Sequence, residues 1–444
     1  MDAFAQGIKG FGEALRRGAV TSEQATQQYL ARIAQSQPKL AAFRRVRAEE
    51  ALAEARALDA ALSEGDDRGP LMGVPIAIKE IIAVQGLGCS VNSSLAVADL
   101  LPAEGPLVRA LRAAGCVILG TTVSTEFALA TINWNDPGPW NPVDAATRRL
   151  CGGSSHGSAV AVAARLCAFA VGTDTGGSVR VPAALCGVAG YKSTRGTWST
   201  EGVFPAAPSL DSMGVLATSV ADCATVANAI KPSPRALAIP LLGLRLGLLR
   251  ERDGEPLDAA VQEALDDTIE WLQKAGVVVS PIEPPGAEDV AALFSRLMPA
   301  EFARVLGKER LRAGLGSLDP VTAARAAAEI DMDPAELDAL RRHTAQWRRQ
   351  AQAQMAGFDA WMGATTPMLP GPRNALRSLD QALQWNRRVG RHTRPVNVFD
   401  QCAISMPIPT REGFPAGLQL IGRHGEDPHL LAIAHAIEKL LHPG

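Results

Sequence analysis

Short apolar segments that are typical of buried strands alternate with helical segments through much of this sequence. Residues 73–78, 116–119 and 168–171 have the strand pattern, and residues 108–114 and 157–165 have the helical one. The alternation continues in the second half of the chain, at residues 244–249, 257–274 and 276–280. Strands and helices in this order are typical of layered α/β folds. The sequence therefore predicts an α/β protein.

The domain organisation is less constrained than the fold class. A length of 444 residues allows two or three domains, but the apolar content of 47% is spread evenly along the chain. We therefore expect one domain over residues 1–444. Within it we expect an N-terminal helical scaffold at 1–64, a core at 65–230 and a further helical segment at 283–355.

Charge and cysteine content limit the expected ligands and compartment. Lys and Arg number 44 against 46 Asp and Glu, which leaves no basic footprint for nucleic acid. The cationic run at 341–349 allows a nucleic-acid interpretation, but nearby acids favour a solvated helix face. The seven cysteines are scattered and lack a Cys-x-x-Cys pair, which argues against a disulfide framework and a zinc site. Without a secretory or membrane-spanning pattern, we expect a cytoplasmic protein that binds no membrane.

Two glycine-rich serine segments contain residue types suited to acyl transfer. Residues 172–182 follow a strand, and paired glycines there bring backbone N–H groups towards one point, where an anion can bind. Gly176 and Gly177 lack a Cβ, so a carbonyl group can approach, and Ser178 is placed to attack it. The alternative is a simple glycine turn. Residues 151–158 are equally ambiguous, because their serines suit either a helix cap or a second hydroxyl-bearing loop.

Lys79 ends the apolar strand at 73–78. A lysine there is either a surface residue or a buried base, and a hydroxyl nucleophile needs a base beside it. The three segments together favour a Ser–Ser–Lys hydrolase. A rival interpretation is the nucleophile elbow Gly-x-Ser-x-Gly at 153–157, which makes Ser155 the nucleophile. Its downstream acid and histidine would come from Asp211, Asp222, His424 and His429.

These motifs resemble the amidase signature family, which includes malonamidases, fatty acid amide hydrolases and the glutaminase component of the glutamyl-tRNA amidotransferase. The resemblance extends to residues 120–127, 182–192, 209–222, 403–407 and 413–422. It spans most of the chain and is weakest at 283–395. It implies the family fold, which is a large twisted mixed β-sheet covered by helices on both faces.

The resemblance also implies roles for individual residues. Ser178 is the implied nucleophile, Ser154 the bridging serine held by a cis peptide bond, and Lys79 the base. The N–H groups implied for the oxyanion hole are those of Thr175, Gly176, Gly177 and Ser178. Positions that match residues around the triad are Ser155, Thr173, Asp174 and Arg180. No cofactor and no metal is implied.

The departures from the family pattern remove no reacting group. Glu80 replaces an aspartate, Thr122 replaces an asparagine, and Tyr191 stands in place of a leucine. His156 replaces a glycine or serine at a helix start. Because residues at helix starts usually point outward, we expect His156 to be a spectator or to line the pocket.

The implied activity is hydrolysis of a carboxylic amide through a serine acyl-enzyme, with a small-molecule amide as the substrate. The alternatives are a glutaminase-type component of an amidotransferase that requires partner subunits, or a relative that binds amides without cleaving them. The chain has only two tyrosines and lacks the tyrosine-rich segment of the amidotransferase component, which favours a stand-alone enzyme. Residues 132–140 and 198–208 are candidate pocket walls. The resemblance also allows a homodimer.

Overall fold

The computed structural model describes residues 6–136, 138–233, 239–250, 256–286 and 289–442. Over these residues the strands are β1 (Phe43–Val46), β2 (Pro75–Lys79), β3 (Val117–Thr122), β4 (Phe169–Asp174), β5 (Ala189–Lys192), β6 (Ser212–Ala217), β7 (Arg245–Leu249), β8 (Val278–Ile282), β9 (Ala360–Ala364), β10 (Cys402–Ile408) and β11 (Ala416–Gly422). They form one sheet in the order β1-β3-β2-β4-β6-β5-β10-β11-β9-β7-β8.

Helices pack against this sheet. In the same described ranges they are α1 (Gly7–Arg16), α2 (Ser22–Leu40), α3 (Ala48–Ser63), α4 (Pro106–Ala113), α5 (His156–Ala163), α6 (Arg180–Cys186), α7 (Val220–Ile230), α8 (Ala259–Lys274), α9 (Val290–Leu306), α10 (Lys308–Gly314), α11 (Pro320–Ala327), α12 (Pro334–Met355), α13 (Leu379–Val389), α14 (Arg394–Val398) and α15 (Asp427–Leu441). Among them, no helix is both long enough and apolar enough to cross a bilayer.

The sheet is mixed, which confirms the predicted α/β class. β2 lies between β3 and β4 and runs parallel to both. From β4 to β9 every neighbouring pair is antiparallel. β7 is parallel to β9 and to β8. Because β2 and β4 are parallel neighbours, their carboxyl ends lie at the same edge of the sheet.

The predicted elements are observed with ends displaced by a few residues. The strand expected at 73–78 begins only at Pro75, because Gly73 lies in the left-handed region with φ +73° and packs against Ser22. The cap predicted at Thr21 is present as a capping box with Gln24 at the start of α2.

Close packing between α6 and the sheet supports the turn that precedes α6. An ideal Cβ on Gly190 of β5 would lie 2.4 Å from Ala183 Cβ and 3.0 Å from the carbonyl oxygen of Val179. Gly363 of β9 is equally buried within a strand, but its nearest neighbour would be Leu249 Cβ at 3.6 Å. The helix can therefore approach β5 closely only where that strand has a glycine.

Gly190→Ala is expected to lower the free energy of unfolding by about 1–3 kcal/mol, because the added methyl group overpacks the contact with α6. Gly363→Ala should change the free energy of unfolding by less than about 1 kcal/mol, since the added methyl group would meet its neighbours only at ordinary contact distance. Urea unfolding of the two variants measures the difference. Equal losses in both would contradict this account.

Candidate active site

Lys79 is fully buried at the carboxyl end of β2. Its Nζ lies 2.7 Å from Ser154 Oγ and 2.8 Å from Thr173 Oγ1, at hydrogen-bond distance from both. Thr173 lies near the end of the neighbouring parallel strand β4. The sheet topology and the loop before α5 thus bring the lysine against two hydroxyl groups.

Burial lowers the pKa of Lys79 from its ordinary value to about 7. The carboxylates of Asp174, Asp211 and Glu80 act in the opposite direction, but desolvation is the larger effect. A substantial fraction of this amine is therefore neutral at neutral pH. A neutral amine has a lone pair and can accept a proton.

The loop that carries Ser154 is joined directly to the Ser178 turn. The peptide bond between Gly153 and Ser154 is cis. The N–H of Ser155 donates to the carbonyl oxygen of Ser178 at 3.0 Å, and the N–H of Thr125 donates to the carbonyl oxygen of Ser154 at 3.2 Å. Backbone hydrogen bonds on both sides therefore hold the position of Ser154.

Ser178 lies at the edge of the buried region, with 8% of its surface exposed. Its hydroxyl makes no hydrogen bond to any residue that the structure describes, Ser154 included. The structure therefore brings Lys79 and Ser154 into contact but leaves the Ser178 hydroxyl without a partner.

The turn after β4 presents backbone N–H groups in succession. Within the described residues, the N–H groups of Thr175, Gly176 and Ser178 donate to no protein acceptor. The N–H of Gly177, however, donates to the side chain of Asp174, with 2.8 Å between the nitrogen and Oδ1. The expectation that Gly177 supplies an oxyanion-hole donor therefore does not fit this geometry.

Asp174 and Arg180 form a fully buried ion pair beneath the turn. Arg180 Nε and Nη2 donate to the two carboxylate oxygens at 3.1 and 2.8 Å, and Gln419 and Asn397 also accept from the guanidinium nitrogens. Burial alone would raise the pKa of Asp174, but the Arg180 guanidinium holds that pKa well below its usual range. The pair fixes the turn, since Asp174 also accepts from the N–H of Val179.

The rival nucleophile elbow is not assembled. Ser155 is buried, and its hydroxyl donates to the carbonyl oxygen of Thr173 at 3.2 Å. Asp222 accepts from the N–H of Ile8 instead of a histidine. His424 is half-exposed beside Asp400. No hydrogen bond or ion pair in the described part of the chain joins Ser155 to any of the proposed partners.

The expectation that His156 points outward is wrong. Its side chain is only 3% exposed, and its Nε2 is buried without a hydrogen-bond partner in the described structure. The cause is the close packing of α5 against β2 and β4, with Gly157 pressed against the backbone of Val123. Burial, followed by the positive charge of Lys79, lowers the pKa of His156 to about 3. It is therefore a neutral residue at physiological pH.

One predicted pocket wall lies beside the turn and the other does not. Residues 203–206, with residues 200 and 208, line a cavity of about 80 Å³ together with Thr173 and Thr175. Asp211 stabilises this wall, because its carboxylate accepts hydrogen bonds from the N–H groups of residues 206 and 207. The segment at 132–140 instead packs against α11, where Asp319 accepts from the N–H groups of residues 134 and 135; Pro137 lies outside the described residues.

Sequence reasoning missed the residues that cover the turn. Phe294 of α9 and Arg394 of α14 pack against Gly176, and Thr393 donates to the carbonyl oxygen of Gly176 at 2.7 Å. All three come from the part of the chain with the weakest motifs. Arg394 was the one available signal, because it is a cation at the start of a short and otherwise mostly apolar helix, α14.

Comparison with known proteins identifies the class. The amidase family model matches residues 24–431, so the chain belongs to the amidase family. It is accordingly a hydrolase of carbon–nitrogen bonds in amides, as the sequence analysis predicted.

Three similar proteins illustrate the range of this family. The A component of the glutamyl-tRNA(Gln) amidotransferase of Thioalkalivibrio sulfidiphilus (strain HL-EbGR7) is 34% identical over 476 residues, covering 98% of this chain and 96% of that protein. The 2-amino-5-chloromuconic acid deaminase of Comamonas testosteroni is 32% identical over 426 residues, covering 93% of this chain and 91% of that protein. The structure of the native peptide amidase from Stenotrophomonas maltophilia superposes with a TM-score of 0.83 at 28% identity. The superposition covers 99% of this chain and 97% of that protein.

Asp174→Ala is expected to lower the free energy of unfolding by about 3–5 kcal/mol, because it leaves the Arg180 charge buried without its carboxylate. The double variant Asp174→Ala/Arg180→Met should lose less free energy of unfolding than the two single variants lose in sum. The reason is that Arg180→Met removes the charge that Asp174→Ala leaves uncompensated. Urea unfolding measures both. The control is Glu270→Ala, which breaks an exposed pair with Lys274 and should change little. Additive losses would contradict the coupling.

Proposed function

We propose that this chain is a stand-alone amidohydrolase that cleaves a carboxylic amide through an acyl-enzyme on Ser178. The observation that carries the proposal is the buried Lys79 amine, which has a pKa of about 7 and lies 2.7 Å from Ser154 Oγ. A neutral amine in this position suits a base that receives protons through a bridging serine.

The proposed first step is attack by Ser178 on the amide carbonyl. Ser154 takes the proton of Ser178 and passes its own proton to Lys79, so that neither serine becomes a free alkoxide. This requires a hydrogen bond between the two serine hydroxyls, which the structure does not contain. We expect it to form when substrate binds, because catalytic hydrogen bonds often tighten only in the complex.

The proposed oxyanion hole uses the unpartnered N–H groups of Thr175, Gly176 and Ser178 in the described turn. These donors are held by backbone and need no rearrangement as negative charge develops on the carbonyl oxygen. The relay then runs backward, and the proton on Lys79 passes through Ser154 to the leaving amine. Water attacks the acyl-enzyme by the same route and regenerates Ser178.

All groups in this mechanism come from one chain, so the proposed hydrolysis needs no residue from a partner. The alternative is a glutaminase-type component of an amidotransferase, as the name of the Thioalkalivibrio relative suggests. Assay of the purified chain alone against glutamine, malonamide, an aryl amide and a fatty amide separates the two. Turnover of any simple amide without partners supports the stand-alone enzyme.

Ser178→Ala is expected to lower amide hydrolysis by at least about 1000-fold, because it removes the nucleophile. Ser158→Ala is the matched control: Ser158 is also a buried serine, but it bonds to Thr122 away from the turn. Trapping with a slow amide and mass spectrometry should place the acyl group on Ser178. An adduct on Ser155, or full activity of Ser178→Ala, would overturn the assignment.

The pH profile tests the base. Below pH 7 Lys79 becomes protonated and cannot accept a proton, so kcat/KM should fall about tenfold per pH unit there and level off above pH 7. Lys79→Arg keeps a positive charge but cannot lose its proton, so it should be inactive at every pH. A flat profile from pH 5 to 9, with chemistry shown to be rate-limiting, would count against a lysine base.

A further inference from the structure

A cavity of about 90 Å³ lies beside β9 and β11, away from the proposed nucleophile. Trp361 of β9 and Ile421 of β11 are opposite each other in the antiparallel register, and both line this cavity. Apolar side chains form most of the rest of the wall, among them Leu249, Val290 and Phe399. The cavity is therefore a largely apolar space between the sheet, α9 and α14.

Two polar atoms of residues in this wall have no hydrogen-bond partner in the described structure. They are Nε1 of Trp361 and Oε1 of Gln401, and both side chains are only 1% exposed. The indole nitrogen is a donor, and the amide oxygen is an acceptor. Buried polar groups are nearly always hydrogen-bonded, because burial removes their bonds to water. A donor and an acceptor left open in one cavity indicate an occupant.

The other polar side chains that the structure describes in this wall are those of Arg250, Arg391 and His392. Nδ1 of His392 lies 3.0 Å from the carbonyl oxygen of Ala364, and its Nε2 accepts from Nε of Arg391 at 3.0 Å. Arg250 is exposed. The buried hydrogen-bonding capacity left in the wall is therefore that of Trp361 and Gln401.

The volume of the cavity distinguishes between water and a larger occupant. About 90 Å³ corresponds to about three water molecules, at about 30 Å³ each. One water can bond to both Trp361 and Gln401, but a buried water needs about two to four polar partners, and the remaining wall offers mostly hydrocarbon. A molecule with a polar head and a short alkyl tail fits this wall better.

The cavity and the Ser178 turn lie against different residues of one short segment. His392 and Val396 line the cavity. Thr393 and Arg394, which lie between them in the sequence, contact Gly176 of the turn instead. A ligand in the cavity is therefore separated from the proposed reaction by this segment.

We propose that the cavity is a second ligand site of this protein and that it takes a small neutral primary amide. The carbonyl oxygen of such an amide accepts from Nε1 of Trp361, and its NH₂ group donates to Oε1 of Gln401. Its short alkyl group lies against the apolar wall. A carboxylate of the same shape is excluded, because it has no proton to donate to Gln401. The proposed site does not depend on the reaction at Ser178.

Binding of propionamide to the Ser178→Ala protein tests the site without turnover. Crystals soaked in propionamide show where it binds, and equilibrium dialysis gives the affinity. We expect propionamide in the cavity, with a dissociation constant of about 0.1–10 mM because the ligand is so small. Propionate, which has the same shape, should bind at least about tenfold more weakly, since it leaves Gln401 without a donor.

Two variants change the wall of the cavity. Trp361→Phe removes the indole donor and should weaken binding of propionamide there by about 3- to 10-fold. Gly363→Val should exclude propionamide by filling the space, since a Cβ on Gly363 has no neighbour closer than 3.6 Å. Trp198→Phe is the matched control and should leave binding unchanged. Nε1 of Trp198 is also buried without a partner in the described residues, but Trp198 lines a different cavity.

Gln401→Met, which removes the acceptor, replaces either wall variant if circular dichroism shows that it does not fold. Propionamide in the cavity, with binding weakened by the wall variants and kept in Trp198→Phe, supports the proposed site. Water alone in the soaked cavity, equal affinity for propionamide and propionate, or binding that the folded wall variants leave unchanged would overturn it.

Ammonia release from amides by the unsubstituted chain is measured separately. Turnover with water alone in the cavity leaves the amidase proposal standing and contradicts the second site. Propionamide in the cavity of a chain that hydrolyses no amide has the opposite meaning, because it supports the second site and contradicts the proposed reaction.

Discussion

The proposed reaction depends on the protonation state of one buried amine, that of Lys79. Burial lowers the pKa of Lys79 to about 7, while nearby carboxylates raise it, Asp174 most strongly. Asp174 is itself engaged by Arg180 in a buried bidentate pair. Desolvation nevertheless outweighs the effect of all three carboxylates on the pKa of the lysine. Asp174 therefore both raises the pKa of Lys79 and holds the turn by accepting from the N–H of Val179.

The sheet topology buries the amine and still brings it to the hydroxyl groups of the proposed site. β2 and β4 are parallel neighbours, so the amine at the end of β2 reaches Thr173 on β4 without leaving the apolar interior. The Ser178 turn follows β4 directly, and the Ser154 loop is joined to it by a backbone hydrogen bond. Each group is attached to a strand end or to a neighbouring backbone. Little conformational freedom remains to be lost when substrate binds.

Short sequence patterns predicted the strands and turns whose formation depends on neighbouring residues in the chain. The strands β2, β3 and β4 were predictable because their apolar runs are flanked by turn residues, and the contact between Lys79 and Ser154 was expected only through the family resemblance. The direction of His156 was not predictable, since it depends on how closely α5 packs on the sheet. The engagement of the Gly177 N–H by Asp174 and the cover formed by Arg394 also depend on tertiary contacts.

The turn that holds Ser178 and the side chains that pack over it come from different parts of the chain. The N–H groups proposed to face the reacting carbonyl belong to the segment with the strongest family motifs, whereas Phe294 and Arg394 belong to the helices with the weakest. Arg394 combines two roles, because its stem packs on Gly176 while its guanidinium donates to the carbonyl oxygens of Asn386 and Arg387 at the end of α13. A change of this residue would therefore affect both the cover of the turn and the end of α13.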